Sequence, residues 1–256
     1  MKDRDIFTRI KPTDNDQLLK YSKGDLIDLI NLINEYQLQY RPRIKAREED
    51  TFGIEIEYQK GGMKKQQELI DKLDLGEGWT IKRDGSVPEG GELATPILHN
   101  TDEDWDKINK VCNVLKQSCK TGLSAGGHIH VGSNILKFNS INWIKFFELW
   151  MTYEHIIIKF TNGETLTVKQ IILALGRSHY AKPSSAKIQL LFNNHKEEIN
   201  EIQSKPELNR RTQISDLIYA YGEGDRYKAL NLMNTCMYDS CNKNTIEFRC
   251  PNGTLE

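Results

Sequence analysis

Three segments far apart in the chain alternate between apolar and polar side chains: Phe52 to Tyr58 (FGIEIEY), Gly126 to Gly132 (GGHIHVG) and Asn244 to Thr254 (NTIEFRCPNGT). Alternation with a period of two predicts β-strands, with successive side chains on opposite faces. Glu55 with Glu57, His128 with His130, and Glu247 with Arg249 then each share one face. Ile54, Ile56, Ile129, Val131, Ile246 and Phe248 share the other. A further pair of strands is predicted within WTIKRDGSVPEGGELATPIL, the second running from Gly91 to Leu98 with Glu92 at its start.

Helical spacing marks other stretches. Thr101 opens a helix with Asp104 three residues on, and Trp105, Ile108, Val111, Cys112 and Leu115 form its predicted buried stripe. Ile141 to Phe160 predicts an amphipathic helix laid against the sheet, since Lys145, Glu148, Glu154, His155 and Lys159 interrupt any membrane span. Shorter helices are expected over Asp25 to Tyr36, over most of Thr165 to Glu207 with a break at HYAKPSS, and from Arg226 to Asn234. The fold class expected is α+β, a mostly antiparallel sheet with helices packed on one face and an open, ligand-bearing face. Residues 1–50 read as an accessory segment and 51–256 as the catalytic domain.

Composition narrows the function. The 35 basic and 36 acidic residues leave a net charge of -1 and are spread along the chain, which gives no footprint for nucleic acid or anionic lipid. Five cysteines without a C-x-x-C pair read as reduced thiols, with Cys250 a small buried filler. The charged N-terminus lacks a signal-peptide core, so a cytoplasmic location without membrane attachment is expected.

A single E-x-E strand is an ordinary solvated surface. Carboxylates on one strand, imidazoles on a second and a carboxylate with a guanidinium on a third are harder to assign to water. If those strands are neighbours, the crowded acids call for a divalent cation. Hard oxygen donors suit Mg2+ or Mn2+, and arginine suits phosphate. No HExxH helix, Walker A loop, kinase catalytic loop or dinucleotide fingerprint occurs.

In order and character, FGIEIEY, DGSVPEGGELATPIL, GGHIHVG, RYKALNL and TIEFRCPNGT resemble the amidoligases, carboxylate-amine ligases that share the glutamine synthetase fold. The resemblance spans about Phe52 to Glu256. It implies ATP-dependent joining of a small-molecule or peptide carboxylate to an amine through an acyl phosphate, with Mg2+ or Mn2+. It implies that Glu57 and Glu92 hold the metal nearer the carboxylate substrate, and that Glu55, His128 and Glu247 hold the one bridging the ATP phosphates. His130 and Arg249 would contact the transferring phosphoryl group. Arg177 resembles a helix-borne arginine near the phosphates, and Arg226, Tyr227 and Asn231 a segment lining the nucleotide or substrate pocket. Arg83 and Asp84 precede a glycine turn that needs no function, and Glu89 is expected in solvent. Related proteins usually continue past the last motif, so either a piece shortened after Glu256 or a compact protein is expected. A homo-oligomer fits the fold class. Two other readings stay open: phosphoryl transfer to a guanidino or other nitrogen acceptor, and a nucleotide- or metabolite-binding module without turnover.

Overall fold

A computed structural model describes residues 49–87, 89–122, 125–136, 139–161, 181–205, 217–219, 221, 226–235 and 243–255. The helix expected over Asp25 to Tyr36, the accessory segment but for its last two residues, and Arg177 lie outside the described residues. Among those described, seven strands form one sheet: β1 (Thr51–Tyr58), β2 (Thr80–Lys82), β3 (Gly91–Ala94), β4 (Leu98–His99), β5 (Gly127–Gly132), β6 (Leu230–Asn231) and β7 (Thr245–Phe248). Their order is β2-β3-β1-β5-β7-β6, with β4 also paired to β1, and every pairing is antiparallel. The helices are α1 (Met63–Asp71), α2 (Asp102–Lys116), α3 (Ser140–Thr161), α4 (Ser185–Asn194) and α5 (Lys196–Ser204). The α+β architecture expected from the alternating pattern is the one observed.

Register places the apolar side chains in rows. Ile56 faces Leu93, which faces Ile81, and Ile54 faces Ile129, which faces Phe248 and then Leu230. Helices cover the two ends of this face. Ile70 of α1 and Ile108, Val111 and Leu115 of α2 pack with Ile56, Tyr58 and Leu93. At the other end Trp143, Phe147 and Trp150 of α3, with α4 and α5, bury Leu230 and Ile246. Ile129, on the strand between these two clusters, stays 37% exposed. The apolar surface removed from water in these clusters is the main force holding helices to sheet.

Local chemistry explains several element boundaries. The Thr101 hydroxyl caps α2 by accepting from Asp104 N–H at 3.2 Å, and Asp104 reaches back to His99 N–H at 2.8 Å. The strand expected through Leu98 breaks after Ala94, where the Thr95 hydroxyl accepts from Ile54 N–H at 3.0 Å and Pro96 has no N–H to donate. Trp105 is not buried with its stripe. It stacks on Phe52 at 5.0 Å, donates to Asn100 Oδ1 and remains 44% exposed.

The amphipathic helix expected at Ile141 to Phe160 is α3, and its buried stripe includes a charge. Glu154 is 4% exposed and accepts from Ser184 N–H, Ser185 N–H and the Trp150 indole at 2.6, 2.8 and 2.9 Å. It caps α4 from outside that helix, supplying acceptors to orphan donors at its start. Among the described residues of Thr165 to Glu207 the break at HYAKPSS is followed by α4 and α5, which are separated at His195.

Arg226 to Asn234 does not form the expected helix. Lys228 bridges Lys182, Ala229 exchanges backbone bonds with Lys182 and Arg249, and Leu230–Asn231 pairs with β7 as an edge strand. Ala229, Leu230, Asn231 and Leu232 are all buried. An all-buried run satisfies its backbone in a ladder as readily as in a helix, so the apolar pattern alone does not choose between them.

Candidate metal and phosphate site

The polar face of the same register brings the predicted donors into one row. Glu57 pairs with Glu92, Glu55 with His128, His130 with Glu247, and Glu247 with Asn231. β1, β5 and β7 are thus neighbours, and their antiparallel pairing aligns the carboxylates of one with the imidazoles of the next. Among the described residues, donor atoms lie within 4.8 Å of one another in each of three groups: Glu55, Glu92 and His128; Glu55, His130 and Glu247; and Glu57, Asp84 and Glu92. Glu55 belongs to two of them, and so does Glu92.

Each carboxylate has a distinct environment. Glu55 Oε2 lies 2.9 Å from His128 Nδ1 and 3.4 Å from His130 Nε2. Burial opposes its charge, but the two imidazoles outweigh that and hold Glu55 well below the usual carboxylate range. Glu92 is pushed the other way, up to about 7, by burial first and then by the Glu55 charge. Glu57, 8% exposed, accepts from Gly126 N–H at 2.7 Å.

Backbone packs tightly behind Glu57. A Cβ on Gly253 would meet both Glu57 O and Gly126 O at 2.7 Å, so only glycine lets the C-terminal segment pass there. Glu247, 3% exposed, is bonded by Arg249 Nη1 on one oxygen and by Asn231 Nδ2 at 2.7 Å on the other.

His130 provides the test of whether a cation fits. Its Nε2 is buried without a hydrogen-bond partner, and the 3.4 Å separation from Glu55 is a contact without hydrogen-bond alignment. A buried ring nitrogen facing carboxylates, with none of them aligned to hydrogen-bond it, fits a metal ligand. The donor set fits a divalent ion. The Glu57, Asp84 and Glu92 group is all oxygen, as Mg2+ prefers, while the imidazole-containing groups also suit Mn2+.

The remaining predicted residues are placed as follows. Arg249 sits at the end of β7, paired with Glu247 on the row. Arg226 is exposed, with its guanidinium 5.0 Å from the Tyr227 ring and 2.9 Å from the Tyr227 hydroxyl. Asn231 is buried behind Glu247. Glu89 and His155 are exposed, and Cys250 is buried in the α3 cluster, where burial pushes its thiol up to about 11.

Asp84, at the Asp-Gly turn, accepts from Ser86 N–H at 2.6 Å and lies in one group with Glu57 and Glu92. In the structure Lys82 pairs with Glu92, and Asp84 follows two residues beyond the end of β2. A cleft of about 420 Å³ between residues 73–76 and α2 is lined by none of the residues in the row.

The family model described as "Putative amidoligase enzyme" matches residues 81–256, more than half of the chain. The chain belongs to this amidoligase family. No curated protein and no solved structure matches it. The matched span begins later than the Phe52 start expected from the motifs and omits β1. β1 is nevertheless the centre of the sheet, paired with β3, β4 and β5, all of which lie inside the match. Membership in an amidoligase family points to an enzyme and to ligase activity. Among the described residues no helix is long and apolar enough to cross a membrane.

Proposed function

We propose that this amidoligase joins a carboxylate to an amine at the expense of ATP, through an acyl phosphate. The observation that carries the reading is the row of overlapping donor groups on the polar face of the sheet, built from Glu55, Glu57, Asp84, Glu92, His128, His130 and Glu247, with Arg249 beside Glu247. Divalent ions, Mg2+ first and Mn2+ second, would be held by these residues. The arrangement favours His130 beside Glu55 and Glu247, and His128 beside Glu55 and Glu92. Held there, such ions would offset the charge of phosphate oxygens.

The side chains have separable tasks. Glu55, kept ionised by its two imidazoles, anchors both imidazole-containing groups. Arg249 is held against the row by Glu247, and its guanidinium would offset the charge that develops on a transferring phosphoryl group. Arg226 and Tyr227, one exposed and one half-buried, would flank the nucleotide, and Arg177 would reach the phosphates. In the reaction a substrate carboxylate oxygen attacks the γ-phosphorus and ADP leaves. The amine nitrogen then attacks the acyl carbon, the carbon–oxygen bond to phosphate breaks, and the nitrogen gives up a proton. The polar row suits small or peptide carboxylates and amines as partners, and no charge pattern favours nucleic acid.

The test is turnover. The protein is incubated with ATP, Mg2+ or Mn2+, and pools of amino acids, peptides and polyamines, and ADP and inorganic phosphate are followed. ADP and phosphate released together, only when a carboxylate and an amine are both present, is the expected result, and Glu55→Ala and Glu247→Ala should abolish it. A phosphorylated nitrogen acceptor without free phosphate, or no response to any carboxylate and amine pair, would refute the reading.

A further inference from the structure

Glu247 uses its two oxygens differently. Oε1 faces the row, bonded to Arg249 Nη1 and 3.7 Å from His128 Nδ1. Oε2 is turned to the edge strand, where Asn231 Nδ2 donates to it at 2.7 Å. Both residues are buried, Asn231 at 5% exposure and Glu247 at 3%, and they are direct cross-strand partners on one face of the sheet. Asn231 Oδ1 in turn accepts from Met233 N–H at 3.0 Å. That bond settles which way the amide points, because only its oxygen accepts from an N–H and only its nitrogen donates to a carboxylate.

A carboxylate with one oxygen pinned this way cannot swing about its terminal bond without stranding a buried donor. We infer that Asn231 is a positioning residue, acting through Glu247 to present that carboxylate to the cation site it forms with Glu55 and His130, rather than by touching the nucleotide. This rests on the metal reading above. Outer partners of this kind fix the geometry of a ligand, and losing one typically weakens metal binding by about 10–100-fold. The short strand β6, whose Leu230 and Asn231 pair with Phe248 and Glu247 of β7, thus has a task besides extending the apolar face.

Calorimetric titration of the nucleotide-free full chain with Mn2+ tests this. Asn231→Ala should raise the Mn2+ Kd by about tenfold or more. Asn231→Ser should do the same, because its hydroxyl can still accept from Met233 N–H yet is too short to reach Glu247. Ile199→Ala, a truncation in the core cluster around α3, supplies the structural control. It should lower the melting temperature and leave Mn2+ affinity unchanged. Unchanged Mn2+ affinity in either Asn231 variant overturns the inference, as does equal weakening by Ile199→Ala. Absence of Mn2+ binding by the unsubstituted chain would instead sink the metal reading itself, and the inference with it.

Discussion

Replacing Glu92 by glutamine should stabilise the cation-free protein above neutral pH while weakening its hold on divalent ions. Burial, and then the charge of Glu55, carry the Glu92 carboxyl from 4.5 to about 7. Between those values the folded chain keeps a proton that the unfolded chain has lost, so stability falls as pH rises through that window and levels off above it. The whole displacement corresponds to about 3 kcal/mol. Glu92 is only partly buried, and solvent screening reduces this to about 1–2 kcal/mol. Glutamine keeps the shape without the charge, and for a domain of this size each kcal/mol moves the melting temperature by about 2–4 °C. Thermal unfolding in a chelator should therefore place Glu92→Gln about 2–8 °C above the unsubstituted protein at pH 8. Near pH 5 the two should converge. Adding Mn2+ should reverse the order at pH 8, since only the unsubstituted protein keeps the full donor set. A variant that melts lower at pH 8 without cation, or gains as much at pH 5 as at pH 8, would refute the reasoning.

Two further perturbations probe the scaffold. Glu154→Ala removes the acceptor that holds Ser184, Ser185 and Trp150, and should cost about 3 kcal/mol at pH 7 by denaturant unfolding. Burial opposes the Glu154 charge, but the hydrogen bonds from Ser184 and Ser185 outweigh it and lower its pKa. Its support is therefore present above the ordinary carboxylate value and fades as pH falls below about 4, so a variant whose deficit grows in acid contradicts the sign. Gly253→Ala would drive a methyl to 2.7 Å from two backbone oxygens and should destabilise by about 2 kcal/mol, with an unchanged urea midpoint counting against the packing argument.

Much of the site was legible because strand chemistry is local. The alternation in FGIEIEY, GGHIHVG and TIEFR assigns each donor to a face without knowledge of the neighbours, and the Thr101 cap and the α3 stripe were readable for the same reason. Arg226 to Asn234 was misread because Ala229, Leu230 and Leu232 are buried on every side, which erases the period that separates helix from strand. Trp105 was misplaced because helical spacing marks a face but says nothing of whether a neighbour covers it; there Phe52 supplies a ring to stack on rather than a core.

The sequence by itself determined which side chains share a face, since the pleat of a strand fixes that within a few residues. Only the tertiary structure decided that β1, β5 and β7 lie side by side, because those pairings join residues about 70 to 120 positions apart and depend on long-range burial rather than local geometry. It also decided the protonation contrast between Glu55 and Glu92. Both are glutamates whose charge burial opposes on the same face, and what separates them is two imidazoles from another strand beside one and a neighbouring negative charge beside the other.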